Sequence, residues 1–128
     1  MHSKLLPFIA LVFLAGSPTL VMEDYKPGDE SRSGYTLLLF GTQWCGPCKA
    51  LKAQMPQLGP KFVKAGVDHI AYVDGDRWVS FRQTQKISLY PTLVLYKDGV
   101  ELTRVYGLTP STYLARIETA IKRDKAKE

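Results

Sequence analysis

Both cysteines of this 128-residue chain lie in one hexapeptide, Trp44-Cys45-Gly46-Pro47-Cys48-Lys49. It follows a short apolar run, Thr36-Leu37-Leu38-Leu39-Phe40, and the turn Gly41-Thr42-Gln43. An uninterrupted apolar run of this length is typical of a parallel strand that is covered on both faces. Apolar residues then recur at spacings of three and four, which predicts a helix with one face in the core. They are Cys48, Leu51, Met55, Leu58 and Phe62.

The spacing and place of the two cysteines favour redox chemistry. A bridge this short encloses almost no loop, so it adds little stability to the fold. Backbone N–H groups and the dipole at a helix N-terminus stabilise a thiolate. We therefore expect Cys45 to be exposed and nucleophilic, and Cys48 to be shielded and placed to attack a mixed disulfide on Cys45. Half of a zinc site is disfavoured, because a closed site needs four ligands and the chain adds only His2 and His69, so we expect no metal.

The rest of the chain completes an α/β fold with a central mixed sheet. Three further strands are predicted over residues 70–73, 92–96 and 101–106. The first of them follows a helix, which predicts a parallel pair with the strand before the cysteines. Lys97-Asp98-Gly99 is a tight turn, so the last two strands should form a hairpin.

Turn and proline residues mark the helices that flank this sheet. Asp74-Gly75-Asp76 is expected to cap a short helix over 78–81, and Thr109-Pro110 to begin the last helix. Pro56 and Pro60 lie within the pattern of the first helix and predict a kink or a break there.

The N-terminal residues 1–22 resemble a targeting signal. Lys4 precedes an apolar stretch over 5–16, which suits a signal peptide and is too short to span a bilayer. Apolar residues resume at 20–22, so an uncleaved signal anchor is an equal alternative to a cleaved signal peptide. Either fate predicts a periplasmic or other extracytoplasmic protein.

The remaining boundaries follow from composition. Residues 23–34 are polar and rich in glycine and charge, which predicts a linker, followed by one domain over 35–123 and a charged tail over 124–128. The 45% hydrophobic content suffices for a single core. The net charge is +5, but Lys and Arg are scattered, so nucleic-acid binding is not expected.

Two separate motifs resemble the thioredoxin family. The hexapeptide 44–49 is similar to the family's active-site sequence, and Tyr90-Pro91-Thr92 is similar to its cis-proline segment. The resemblance runs from about residue 35 to 121 and includes the hairpin at Asp98-Gly99. It implies the thioredoxin fold, with Pro91 in the cis form, facing the cysteines, and the backbone before it pairing with a substrate strand. Beside the catalytic pair, the substrate-binding residues it implies are Trp44, Gly46, Pro47, Tyr90, Pro91 and Gly107.

The sequence departs from the family pattern in three places. The family's buried aspartate, six residues before the first cysteine, is Leu39 here, so the carboxylate that assists the second thiol is missing. Few residues precede Tyr35 after the signal, so the sheet should have four strands, or five if a first strand is retained. Tyr90 replaces a smaller aliphatic residue, which predicts a different substrate surface.

These observations predict a thiol–disulfide oxidoreductase that reduces or exchanges disulfides in exported proteins. Its partners would be disulfide-containing proteins and a membrane or soluble thiol electron donor, with no cofactor, and the N-terminus could anchor it to a membrane. An oxidase or isomerase of the same fold is the first alternative, because exported compartments are oxidising. The second is a redox-inert module that holds a partner strand in the Pro91 groove.

Overall fold

The computed structural model describes residues 22–128 and contains one five-stranded mixed sheet in the order β1-β3-β2-β4-β5. The first three strands in the chain are mutually parallel, β4 is antiparallel to β2, and β5 is antiparallel to β4. The strands are β1 (Glu23–Asp24), β2 (Tyr35–Gly41), β3 (His69–Asp74), β4 (Thr92–Lys97) and β5 (Val100–Tyr106). The helices are α1 (Gly46–Ala65), α2 (Val79–Thr84) and α3 (Pro110–Ala126).

Strand β2 lies at the centre of the sheet, and its apolar side chains alternate between two cores. Leu37 and Leu39 face the core that α1 and α3 cover, whereas Leu38 and Phe40 face the smaller core beneath α2. Because both faces of β2 are covered, every residue of the strand is buried. The predicted thioredoxin-like α/β fold is confirmed, with five strands rather than four.

The segment predicted to be a linker, 23–34, belongs to the folded domain. Its first residues form β1 and pair with Ala71 and Tyr72 of β3. Tyr25 is 5% exposed, stacks on Phe81, and donates a hydrogen bond to Glu30. A two-residue strand and one buried aromatic leave too weak a hydropathy pattern to be recognised in a polar segment.

The predicted charged tail is also part of the fold. Helix α3 continues to Ala126, and Lys97 on β4 forms ion pairs with Asp124 at 2.9 Å and Glu128 at 2.8 Å. Tyr35 donates a 2.6 Å hydrogen bond to Asp124. These charged residues fasten the last turn of α3 to the sheet through ion pairs and a hydrogen bond. A charged segment that makes such bonds has the same composition as a solvated tail, so the sequence does not separate the two.

The local predictions about helices and turns have different outcomes. Of the kink or break predicted at Pro56 and Pro60, the break does not occur, because helix α1 is continuous through both prolines. Helix α2 has no side-chain cap, because the Asp74 carboxylate accepts a hydrogen bond from the backbone of Asp76 instead. The β4–β5 hairpin forms as predicted, and the Thr109 side chain caps α3.

The predicted signal lies almost wholly outside the described residues. Met22, its last residue, packs against the larger core. Among the helices of residues 22–128, none combines the length and the apolar character that a membrane crossing requires.

Candidate active site

The strand directions bring all the predicted site residues to one edge of the sheet. Strand β2 ends at Gly41, just before the cysteines, and its residue Phe40 pairs with Thr92, the residue after Pro91. Thr92 in turn pairs with Tyr106, so Gly107 follows at the same edge. Residues distant in sequence therefore surround the cysteine pair.

The cysteine pair lies at the first turn of α1. Cys45 is the N-cap residue, its sulfur accepts a hydrogen bond from the Cys48 backbone at 3.2 Å, and Pro47 occupies the first turn. Proline is favoured there because its missing N–H is not needed for helix bonding. The two cysteines form a disulfide. The same backbone donor and the helix dipole would stabilise a thiolate on Cys45 after reduction.

Burial distinguishes the two sulfurs less sharply than predicted. Cys48 is fully buried, and Cys45 is 7% exposed rather than openly exposed. The disulfide and the helix-capping hydrogen bond draw the Cys45 side chain back toward α1. Of the pair, Cys45 is still the one with surface that a substrate can reach.

Trp44 is 69% exposed beside the disulfide and is held from two sides. Its indole nitrogen donates a 2.8 Å hydrogen bond to Asp76, and its ring meets the Tyr90 ring edge-on, with centroids 5.9 Å apart. The sequence predicts only a capping role for Asp76. Its position just past the end of β3, at the same sheet edge as the cysteines, is the signal that could have found it.

A groove of about 470 Å³ runs beside the cysteines and is largely apolar. The Tyr90–Pro91 peptide bond is cis, as the resemblance implied. Of the predicted substrate-binding residues, Pro47, Tyr90, Pro91 and Gly107 line this groove, and Trp44 and Gly46 do not. The backbone of Gly107 has a positive φ of 69°, where a side chain would be strained.

Tyr90 turns part of its side chain away from the groove. The hydroxyl end of its ring lies against Gly75, and a Cβ on residue 75 would collide with it. Burial is the main cause that raises the pKa of Tyr90, so its hydroxyl stays protonated at neutral pH. The rest of the Tyr90 side chain packs against Trp44 and lines the groove.

A second, polar cavity of about 610 Å³ opens on the other side of the α1 N-terminus. Tyr72, which lies within the strand predicted over residues 70–73, lines it together with Thr42 and Lys52. Burial raises the pKa of Tyr72, and the Lys52 ammonium lies 4.3 Å from the centre of its ring. Leu39 is fully buried in the larger core, so no carboxylate occupies that position beneath the pair.

This arrangement can carry out thiol–disulfide exchange. A thiolate on Cys45 can attack a disulfide presented in the groove, and Cys48 is one helical turn away to attack the resulting mixed disulfide. Within residues 22–128, no cluster of three or more histidine, cysteine or acidic side chains could hold a metal.

Comparison with known proteins agrees with this geometry. The Thioredoxin family model matches residues 18–120. Thioredoxin from Chlamydia pneumoniae is 32% identical over 85 residues, which cover 66% of this chain and 80% of that protein. Thioredoxin H7 from Arabidopsis thaliana is 34% identical over 92 residues, which cover 70% of this chain and 69% of that protein. The crystal structure of thioredoxin from Trypanosoma brucei brucei shares the fold with a TM-score of 0.70 at 24% identity, over 84% of this chain and 96% of that one.

Proposed function

Because this chain belongs to the thioredoxin family and is a thiol–disulfide oxidoreductase, we propose that it reduces or exchanges disulfides in exported proteins through a cycle of Cys45 and Cys48. The observation that carries the chemistry is the sulfur of Cys45 at the N-cap of α1, close to a groove that Pro47 and Pro91 line. The observation that carries the compartment is the apolar stretch over residues 5–16, behind Lys4.

The cycle begins when the Cys45 thiolate attacks a substrate disulfide and forms a mixed disulfide. One substrate sulfur leaves as a thiolate and takes up a proton from solvent. Cys48 then attacks the Cys45 sulfur, the second substrate sulfur leaves as a thiolate, and the Cys45–Cys48 disulfide of the structure is formed. A membrane or soluble thiol donor supplies the two electrons that restore the dithiol.

The groove supports recognition of an extended substrate segment. Its apolar wall includes Pro47, Leu108 and Pro91, and the backbone next to Pro91 offers hydrogen bonds to an added strand. Trp44 stands exposed at the rim, where its large ring can contact apolar substrate residues.

Trapping of substrates in the cell tests this proposal. A full-length Cys48→Ser chain should accumulate mixed disulfides with exported proteins, since the resolving thiol is absent. Cys45→Ala is the matched control and should accumulate none. Adducts confined to proteins of the cytoplasm would overturn the proposed compartment while leaving the exchange chemistry intact.

The N-terminus is tested by fractionating cells and sequencing the N-terminus of the mature chain. Loss of residues before Met22 together with release into the exported compartment indicates a cleaved signal. A full-length chain that stays in the membrane fraction indicates an anchor, and a full-length chain in the cytoplasm contradicts export.

The net direction of the reaction is tested by the reduction potential of the Cys45–Cys48 pair. The Gly46-Pro47 dipeptide between the cysteines matches thioredoxin, for which the potential is about −270 mV, so we expect a reductant. A potential near about −120 mV, as in a strong oxidase of this fold, would identify an oxidase instead.

A further inference from the structure

Leu39 and Tyr72 are neighbours across the β2–β3 pair and lie on the sheet face that α1 covers. The two residues are register partners, and both belong to the core beneath α1 and α3. Helix α1 carries Cys48 on the same face. Leu39 offers no polar atom to Cys48, whereas its neighbour Tyr72 carries a hydroxyl.

Gly41 shows how close the Tyr72 hydroxyl comes to Cys48. A Cβ on Gly41 would lie 2.6 Å from the Tyr72 Oη and 3.1 Å from the Cys48 Sγ. Both atoms therefore border the same small space above Gly41, and they share it because glycine has no side chain.

The Tyr72 hydroxyl is free to act as a donor. Among the hydrogen bonds within residues 22–128, none involves this hydroxyl, although those of Tyr25, Tyr35 and Tyr96 all donate to side chains. Burial raises the pKa of Tyr72, so the phenol keeps its proton at neutral pH. A protonated phenol can stabilise an anion as a hydrogen-bond donor, and it cannot act as a base.

We propose that the Tyr72 hydroxyl donates a hydrogen bond to the sulfur of Cys48 in the mixed disulfide and stabilises the thiolate that resolves it. The Cys48 thiol loses its proton to water of the polar cavity, and Tyr72 keeps its own. The Cys48 sulfur bonds to Cys45, the bond from Cys45 to the substrate breaks, and its electron pair leaves on the substrate thiolate. This role rests on the proposed order of attack, Cys45 first and Cys48 second.

Charged and titratable groups from several elements face this site and contribute to its pH dependence. Lys49 and Lys52 of α1 and Arg77 favour a thiolate, whereas Asp74 and Asp76 disfavour it. The full set is Asp24 of β1, Lys49 and Lys52 of α1, Asp74 of β3, Asp76 and Arg77 after β3, and Tyr90 before β4.

The test is the reaction of the reduced full-length chain with an excess of the chromogenic disulfide 5,5′-dithiobis(2-nitrobenzoate), followed by stopped flow from about pH 5 to about pH 10. Attack by Cys45 releases one thionitrobenzoate and resolution by Cys48 releases the second. In Tyr72→Phe the second phase should have an apparent pKa about one unit higher. Near neutral pH it should be about threefold slower, because a tenfold loss of thiolate is partly offset by greater nucleophilicity. At high pH it should be no slower than in wild type.

Two controls keep the outcomes separate. Tyr96→Phe removes another buried tyrosine hydroxyl, at the opposite end of the sheet, and should leave both phases unchanged. Cys48→Ser should lose the second phase, and a second phase that persists there would overturn the order of attack rather than the role of Tyr72. An unchanged pKa in Tyr72→Phe, by kinetics and by NMR titration of the Cys48 β-carbon, would overturn the role of Tyr72.

Discussion

The two ends of the central strand β2 use their polar groups differently. Where β2 begins, Tyr35, Lys97 and Asp124 bond to one another, and the Gly34 N–H donates to the Asp98 carboxylate at 2.7 Å. A buried hydroxyl without a hydrogen-bond partner in the described part of the chain lies near each end: Thr36 near the start of β2, and Thr42 just past its end, where it lines the 610 Å³ cavity. The redox pair lies at this second end.

The difference separates stability from reactivity. Polar groups that are paired within the protein contribute to folding, whereas groups that open into a cavity or groove remain available to a substrate, a thiolate or water. Substitutions at the redox end should mainly change exchange, and those at the opposite end should mainly change stability.

Cys45→Ala should have the largest effect, because it removes the nucleophile. We expect complete loss of disulfide exchange in an insulin-reduction assay, with a thermal midpoint close to that of the reduced wild-type protein. In Cys48→Ser the first attack should remain and mixed disulfides should accumulate. Equal adduct yields from the two variants would contradict the assigned order.

Leu39→Asp should change both the stability of the protein and the rate of exchange. It removes a fully buried leucine and introduces an ionisable group, so we expect a loss of about 3–5 kcal/mol in the free energy of unfolding. The new carboxylate could take the Cys48 proton, which should speed resolution near neutral pH. Leu39→Asn is the matched control, similar in size and without a base. Equal resolution rates in the two variants would show that a carboxylate there gives no help.

Asp76→Ala should have a smaller effect than the preceding substitutions, and it should act on the reaction with protein substrates. It removes the hydrogen bond that fixes the exposed Trp44 ring, worth about 1 kcal/mol, so kcat/KM for a protein disulfide should fall about fivefold. The rate with the small chromogenic disulfide should not fall, because removal of the Asp76 charge does not disfavour a thiolate. Glu101→Ala, which breaks the Arg104 ion pair on β5, is a control that should alter neither rate. An equal loss with both substrates would mean that Trp44 does not act in protein recognition.

Asp124→Asn should have the smallest effect, a fall of a few degrees in the thermal midpoint at neutral pH with unchanged exchange. The hydrogen bonds from Lys97 and then Tyr35 hold the pKa of Asp124 below its ordinary value. Its contribution is therefore full at neutral pH and is lost as the pH falls below about 4. The midpoints of the variant and the wild type should converge in acid, and a constant difference would exclude this carboxylate as the cause.

The redox end was the more predictable of the two from sequence. The hexapeptide around Cys45 and the segment at Pro91 carry local signals, and the antiparallel pairing of β2 with β4 places the end of β2 beside the start of β4. Strand β1 and the last turn of α3 were missed because their stabilising partners, Tyr72 and Lys97, are distant in sequence. Tyr72 was missed as a site residue for a related reason, since only the fold shows that its hydroxyl and the Cys48 sulfur border the same space above Gly41.

A substitution at Gly41 should be enough to separate the Tyr72 hydroxyl from the Cys48 sulfur. Its φ lies outside the left-handed region that favours glycine, so an alanine could adopt the same backbone. One added methyl would nevertheless act as a wedge, forcing the hydroxyl of Tyr72 away while both functional groups stay in the protein. The proposed contact between Tyr72 of β3 and the resolving sulfur thus depends on the absence of a single carbon atom from Gly41.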